Sequence, residues 1–157
     1  MEEKRHTSLH YEKELQAIKD GLIFLGALTE TAIRKAMKSL SDRDTELARQ
    51  VVRDDDEIDR LDTDLEERCI KILALRQPTA IDLRFITTAI KITGHLERIG
   101  DMAVNIAEKA MLLNNEPQLK PYIDLPRMTD LVSGMIKDSL DSFVKNDLAQ
   151  AEKVRRM

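Results

Sequence analysis

The chain has 157 residues, of which 34% are charged and 3% are aromatic, and its formal net charge at pH 7 is -4. Such a composition, poor in Gly and Pro, is typical of long amphipathic helices and predicts an all-α fold. The acidic balance argues against a nucleic-acid partner, because a phosphate-tracking surface needs a basic excess.

Three features of the sequence predict a location in the cytoplasm: the length of its apolar stretches, its N-terminus and its single cysteine. The longest uncharged apolar stretch, residues 21–28, is far shorter than the roughly 20 residues of a membrane-spanning helix. The N-terminus has no apolar signal region, so secretion is not expected. The one cysteine, Cys69, lies on an apolar helix face, which predicts a core residue in a reducing compartment.

Apolar residues recur with helical spacing over residues 9–40, 47–75 and 83–113, which predicts three long helices. Asp44 is placed to cap the second helix, and Thr79 with Asp82 resembles a capping box that opens the third. A polar stretch over residues 114–126 ends the pattern. Because the connections are short, we expect an antiparallel three-helix bundle.

The last part of the chain resembles the first. With an offset of 103 residues, Asp44 aligns with Asp147 and Val51 with Val154, and apolar positions recur between them. We therefore predict a first three-helix unit over residues 1–118 and the first part of a second unit over residues 119–157. The alternative is chance similarity between two amphipathic helices.

Acidic residues flank the apolar face of the second and third predicted helices. Asp59 and Glu97 each lie 19 residues from Pro78 in the intervening turn, and Asp55 and Asp101 each lie 23 residues from it. In an antiparallel pair these four carboxylates meet at one level. Asn105 and Glu108 continue the stripe on the third helix as secondary candidates.

Four converging carboxylates either raise one another's pKa values or bind a multivalent cation. Ligation by oxygen alone favours Mg, Ca, Mn or iron over a thiolate-rich zinc site. The alternative is that both stripes are simply acidic faces exposed to solvent.

Three motifs resemble the PhoU family, and the similarity covers essentially the whole sequence. They are DxxID at 55–59, RQPTAxDLR at 76–84 and LERIGDxAxNI at 96–106. The resemblance implies tandem three-helix bundles of a PhoU-like or spectrin-like kind. It also implies that Asp55, Asp59, Glu97 and Asp101 hold metal ions, foremost an iron cluster, with Zn, Mg, Mn or Ca as alternatives.

The same resemblance implies a regulatory role without a reaction. PhoU proteins couple the phosphate-specific ABC transporter, through its ATPase subunit, to a sensor histidine kinase, and they repress the phosphate-starvation response. The chain would then lie in the cytoplasm, peripheral to the inner face of the membrane. Two alternatives are a carboxylate-bridged metal-dependent phosphohydrolase and a purely structural helical module.

The resemblance also implies a second unit of which only the beginning is present. Met157 aligns with Asp54, so the acidic pair of a second metal site lies beyond this sequence. Apolar residues of the fourth helix would then lack part of their packing surface, which predicts a homodimer or higher oligomer. These residues are Leu131, Met135, Leu140 and Phe143.

Overall fold

The computed structural model describes the backbone of residues 2–118 and 120–157, with side chains from Leu9 onward. This part of the chain contains five α-helices and no strand, which confirms the all-α prediction. The helices are α1 (Glu2–Ser41), α2 (Thr45–Arg76), α3 (Ala80–Leu113), α4 (Asp124–Lys145) and α5 (Leu148–Arg155). No described helix is both long and apolar enough to cross a membrane.

The predicted caps are correct for α2 and wrong in detail for α3. The Asp44 side chain accepts a hydrogen bond from the backbone N–H of Leu47 at 2.9 Å. Thr79 is the N-cap residue of α3 but makes no side-chain cap bond. Its partner in the expected box, Asp82, accepts the hydroxyls of Tyr11 at 2.9 Å and Thr79 at 3.5 Å, and not the Thr79 backbone N–H that a capping box would use.

Helices α1, α2 and α3 pack against one another in all three pairs, while α4 packs along α1 and α5 along α4. The connections between them are tight because two residues adopt left-handed backbone angles, Arg43 with φ 57° and Gln77 with φ 46°. Short turns of this kind hold successive helices antiparallel.

The core fills the space between these helices. Cys69 is fully buried, as its position on the apolar face predicts, and burial raises the pKa of its thiol to about 11. On α3 the buried face is wider than the periodicity indicates, because this helix contacts both α1 and α2. Ile86, Thr93 and Gly100 are buried there, whereas Phe85 and Ile92 are only half-buried.

Glycines on α1 allow close approach of two neighbours. A Cβ atom on Gly21 would overlap the side chain of Leu65 on α2, and one on Gly26 would overlap that of Leu140 on α4. Both leucines are buried, so neither has open space to move into. Small residues at these positions therefore set the spacing of α1 from α2 and α4.

The α1–α2 and α4–α5 connections, which end at the N-cap residues Asp44 and Asp147, have the same local geometry. Asp147 accepts from the backbone N–H of Gln150 at 3.0 Å, as Asp44 does from Leu47. The preceding residue is left-handed in both, with φ 54° at Asn146. The backbone N–H of each aspartate also bonds a serine carbonyl at 2.8 Å. The division into units 1–118 and 119–157 stays a prediction.

Replacing Gly21 with Ala is expected to destabilise the protein by about 1–3 kcal/mol, because the new methyl group displaces the buried Leu65 side chain. The free energy of unfolding in urea measures this change.

Gly94→Ala is the matched control, since it is also in a helix but its Cβ would have no neighbour within 4 Å. This variant should gain up to about 1 kcal/mol from helix propensity. Equal effects of the two substitutions would contradict the packing argument.

Candidate metal centre

The α2–α3 pair brings the predicted carboxylates into one electrostatic cluster. Asp59 and Asp101 are among the charges that raise the pKa of Asp55, and both also raise the pKa of Glu97. The Oδ1 atom of Asp55 lies 3.1 Å from the position that a Cβ on Gly100 would occupy. Because Gly100 has no side chain, the Asp55 carboxylate lies directly against the α3 backbone.

Burial adds to the repulsion within this cluster. Asp55 and Glu97 are half-buried, whereas Asp59 and Asp101 are exposed. Loss of hydration is the largest cause of the raised pKa of Asp55, from 3.8 to about 6, and repulsion from Asp59 and Asp101 adds to it. The pKa of Glu97 is raised for the same two reasons. The site therefore disfavours full ionisation in the absence of a cation.

No described cation neutralises the cluster. Asp55, Asp59, Glu97 and Asp101 form no ion pair with any side chain that the structure describes. The adjacent Asp54, by contrast, pairs with Lys35 of α1 at 2.8 Å.

Asp62 joins the cluster and is absent from the predicted site. Its Oδ1 atom is buried without a hydrogen-bond partner among the described atoms, and its charge contributes to the raised pKa of Glu97. The sequence does carry a signal, because Asp62 lies on the same flank of α2 as Asp59. Symmetry about Pro78 hides it, since the position at the same distance on α3 is Gly94.

The secondary candidates lie apart from this cluster. The Asn105 amide donates to the backbone carbonyl of Asp101 at 2.9 Å, one turn earlier in its own helix. Glu108 is exposed. Neither residue is among the groups that raise the pKa of Asp55 or Glu97.

The available ligands are carboxylate oxygens, which are the donors that hard cations prefer. One of them, Oδ1 of Asp62, is buried without a hydrogen-bond partner among the described atoms. Within the described residues, however, no three ligand side chains already converge on one point. Binding would therefore need rotamer changes, which the exposed side chains of Asp59 and Asp101 have room to make.

The five helices, with an acidic cluster between α2 and α3 that no described side chain neutralises, place the chain among the all-α helical-bundle proteins. Residues 22–110 match the PhoU domain, which is more than half of the sequence. The chain belongs to the PhoU family, as its three motifs predict.

Curated relatives carry the same family name. The phosphate-specific transport system accessory protein PhoU homolog of Aquifex aeolicus is 46% identical over 142 residues, which cover 90% of this chain and 64% of that protein. The homolog of Caulobacter vibrioides is 36% identical over 147 residues, covering 93% and 64%. The chain thus spans 64% of the length of these two relatives.

Solved structures share the fold. The crystal structure of PhoU from Pseudomonas aeruginosa matches with a TM-score of 0.88 at 35% identity, covering 93% of this chain and 70% of that one. The phosphate transport system regulatory protein PhoU from Streptococcus pneumoniae matches with a TM-score of 0.83 at 26% identity, covering 93% and 69%.

The raised pKa of Asp55 predicts a pH dependence of the metal-free protein. Folded Asp55 binds a proton up to about pH 6 and unfolded Asp55 only to about pH 3.8, so stability falls as pH rises through this window. Asp55→Asn removes this residue's part of the slope, to which the raised pKa of Glu97 also contributes. It should stabilise the metal-free protein at pH 7 by about 1–2 kcal/mol, a value discounted for partial exposure. Urea unfolding at pH 4, 5, 6 and 7 in the presence of a chelator measures the effect.

Asp54→Asn is the neighbouring control, since it removes the same charge from a residue paired with Lys35. It should give no gain at pH 7. A gain as large as that of Asp55→Asn would show that net charge, and not the cluster, is responsible.

Proposed function

We propose that this chain is a regulatory adaptor of phosphate uptake and signalling. In this role it couples the ATPase subunit of the phosphate-specific ABC transporter to a sensor histidine kinase and represses the phosphate-starvation response. Family membership supports this, together with the names of relatives, which describe accessory proteins of the phosphate-specific transport system. Association with these partners would place it in the cytoplasm, peripheral to the inner face of the membrane.

The adaptor holds metal ions through Asp55, Asp59, Glu97 and Asp101, with Asp62 as a further oxygen donor. The observation that carries this proposal is the cluster's uncompensated charge, which already raises the pKa values of Asp55 and Glu97. A multivalent cation removes that repulsion and joins α2 to α3. Iron is the first candidate, with Zn, Mg, Mn and Ca as alternatives.

The role is binding rather than catalysis. Cations at this site change the stability and charge of the α2–α3 face, which suits a surface that partners recognise. The phosphohydrolase alternative predicts turnover of a phosphate ester by the metal-loaded protein, and the purely structural alternative predicts no metal uptake.

The double variant Asp59→Asn with Asp101→Asn tests the site and its role together. After incubation with iron and removal of excess, its metal content should fall at least about tenfold below that of the unaltered protein, because one oxygen donor on each helix is weakened. Elemental analysis gives this value. In cells, a reporter of the phosphate-starvation response should become active at high phosphate.

The pair Glu57→Gln with Glu67→Gln is the matched control, since it removes the same charge from exposed residues of α2. Metal content and repression should stay unchanged in it. Equal, negligible metal content in both double variants and the unaltered protein would refute the metal site. Metal-dependent release of phosphate from p-nitrophenyl phosphate would refute the non-enzymatic role.

The adaptor also self-associates as a homodimer or higher oligomer. Exposed apolar side chains on α4 support this, with Met128 56%, Leu131 47% and Val132 39% exposed. Leu140 and Phe143 are not part of this surface, because Leu140 packs on Gly26 and Phe143 stacks on Phe85.

Sedimentation equilibrium at micromolar concentration should therefore give a mass of at least two chains. Leu131→Lys with Val132→Lys should shift it to one chain, since it places charges within an apolar contact. A monomer before substitution would contradict this assembly.

A further inference from the structure

A second candidate site lies in a cavity of about 390 Å³ where the beginning of α3 meets α1 and the end of α4. The volume is within the roughly 300–1,000 Å³ of small-molecule sites. Its wall combines two cations, two neutral polar side chains and two aromatic rings, which are Lys19, Arg84, Thr88, Asn146, Phe85 and Phe143. The cavity lies outside the carboxylate cluster and shares no residue with it.

The two cations in the wall have no carboxylate partner among the described side chains. Arg84 donates its Nε–H to the backbone carbonyl of Ala80 at 3.2 Å, which leaves its remaining N–H groups available. The carboxylate that also lines the cavity, Asp82, accepts the hydroxyls of Tyr11 and Thr79. With two cations and one carboxylate, the wall is net positive in a chain whose net charge is -4.

Aromatic packing holds one of these cations in place. The Nζ atom of Lys19 lies 5.5 Å from the centroid of the Phe85 ring. Phe85 in turn stacks on Phe143 with ring centroids 5.2 Å apart and an interplanar angle of 9°. These contacts fix the positive charge beside an apolar wall contributed by α3 and α4.

Two neutral donors in the wall also lack partners among the described atoms. Thr87 donates its hydroxyl to the Leu83 carbonyl at 2.8 Å, as helical threonines commonly do. The next residue, Thr88, makes no such bond, and neither does the side-chain amide of Asn146. Both line the cavity and remain available to a ligand.

The RQPTAxDLR motif points to the same place. Arg76 pairs with Glu14 at 2.9 Å, Gln77 adopts the left-handed turn conformation, and Asp82 binds Tyr11. These residues have structural roles at the α2–α3 connection. Arg84 is exposed and bonds only its own helix, so packing does not explain an arginine at the end of the motif.

We propose that this cavity binds a phosphate monoester that carries a flat apolar group. Lys19 and Arg84 hold the phosphate, Thr88 and Asn146 donate to its oxygens, and the Phe85–Phe143 wall contacts the remainder of the molecule. A phosphate monoester carries a charge of about -1.5 to -2 at pH 7, which two cations neutralise. A ligand with a single carboxylate would leave one of the two cations without a partner. The half-apolar wall favours an organic ester over inorganic phosphate.

Titration of the ¹⁵N-labelled chain tests the proposal with three probes: adenosine 5′-monophosphate, inorganic phosphate and uncharged adenosine. The monophosphate should bind most tightly and shift amide signals near residues 19, 84–88 and 143–146. Equal binding of inorganic phosphate would overturn the proposal, since the apolar wall would then contribute nothing. Equal binding of adenosine, or no binding up to millimolar concentration, would also overturn it.

Substitutions locate the site. Lys19→Gln with Arg84→Gln should weaken binding of the monophosphate at least about tenfold, because each removes a charge-assisted hydrogen bond. Lys91→Gln is the control, an exposed lysine of α3 outside the cavity, and should bind within twofold of the unaltered chain.

Thr88→Tyr gives a second measurement, since it fills the cavity and keeps both cations; it should abolish binding. Asp59→Asn with Asp101→Asn should leave binding unchanged, so this result does not depend on the metal site. Unchanged affinity in both cavity variants would overturn the proposal.

Discussion

Like charges beside a packed core are the constraint on which this structure depends. Ile58 on α2 packs near the backbone of Gly100 on α3, and this approach brings Asp55 against the same backbone. The helices cannot pack at this level without bringing their carboxylates together, since both lie on the flank of the buried face. Core packing thus imposes the repulsion, and the cation proposed for this site would convert that repulsion into attraction between α2 and α3.

The two Asp-capped connections show which part of the fold the sequence predicts, namely the local starts of helices. A cap depends on a few neighbouring residues, so Asp44 and Asp147 can be identified from sequence alone. Helix α3 shows the limit, because the Asp82 carboxylate accepts the hydroxyls of Tyr11 and Thr79 and not the backbone N–H that a capping box would use. The bond from Tyr11 to Asp82 joins residues 71 positions apart, which local sequence patterns do not describe.

The same reasoning applies to the carboxylates. Counting from Pro78 finds Asp55 with Asp101 and Asp59 with Glu97, because an antiparallel pair has one rise per residue on both sides of the turn. It misses Asp62, whose counterpart by position is a glycine, although the charge of Asp62 raises the pKa of Glu97. The sequence does not predict the cavity at Lys19 and Arg84, because the cavity forms only when α4 packs beside α1.

The acidic cluster and the cationic cavity both include α3, and their separation determines how they can influence each other. Arg84 and Glu97 are 13 residues apart on this helix, or about 20 Å at 1.5 Å per residue. This is more than twice the Debye length of about 8 Å at physiological salt, so direct attraction between the two sites is largely screened.

Any coupling must then be mechanical, through a shift of α3 against α1 or α2. Gly100 on α3 is in tight contact with Asp55 and Ile58 of α2, and α1 in turn packs closely on α2 at Gly21. A sliding motion of these helices meets steric resistance at such contacts. If both proposed sites bind, the close contacts favour independent binding, in which each ligand stabilises the same fold without changing the affinity for the other.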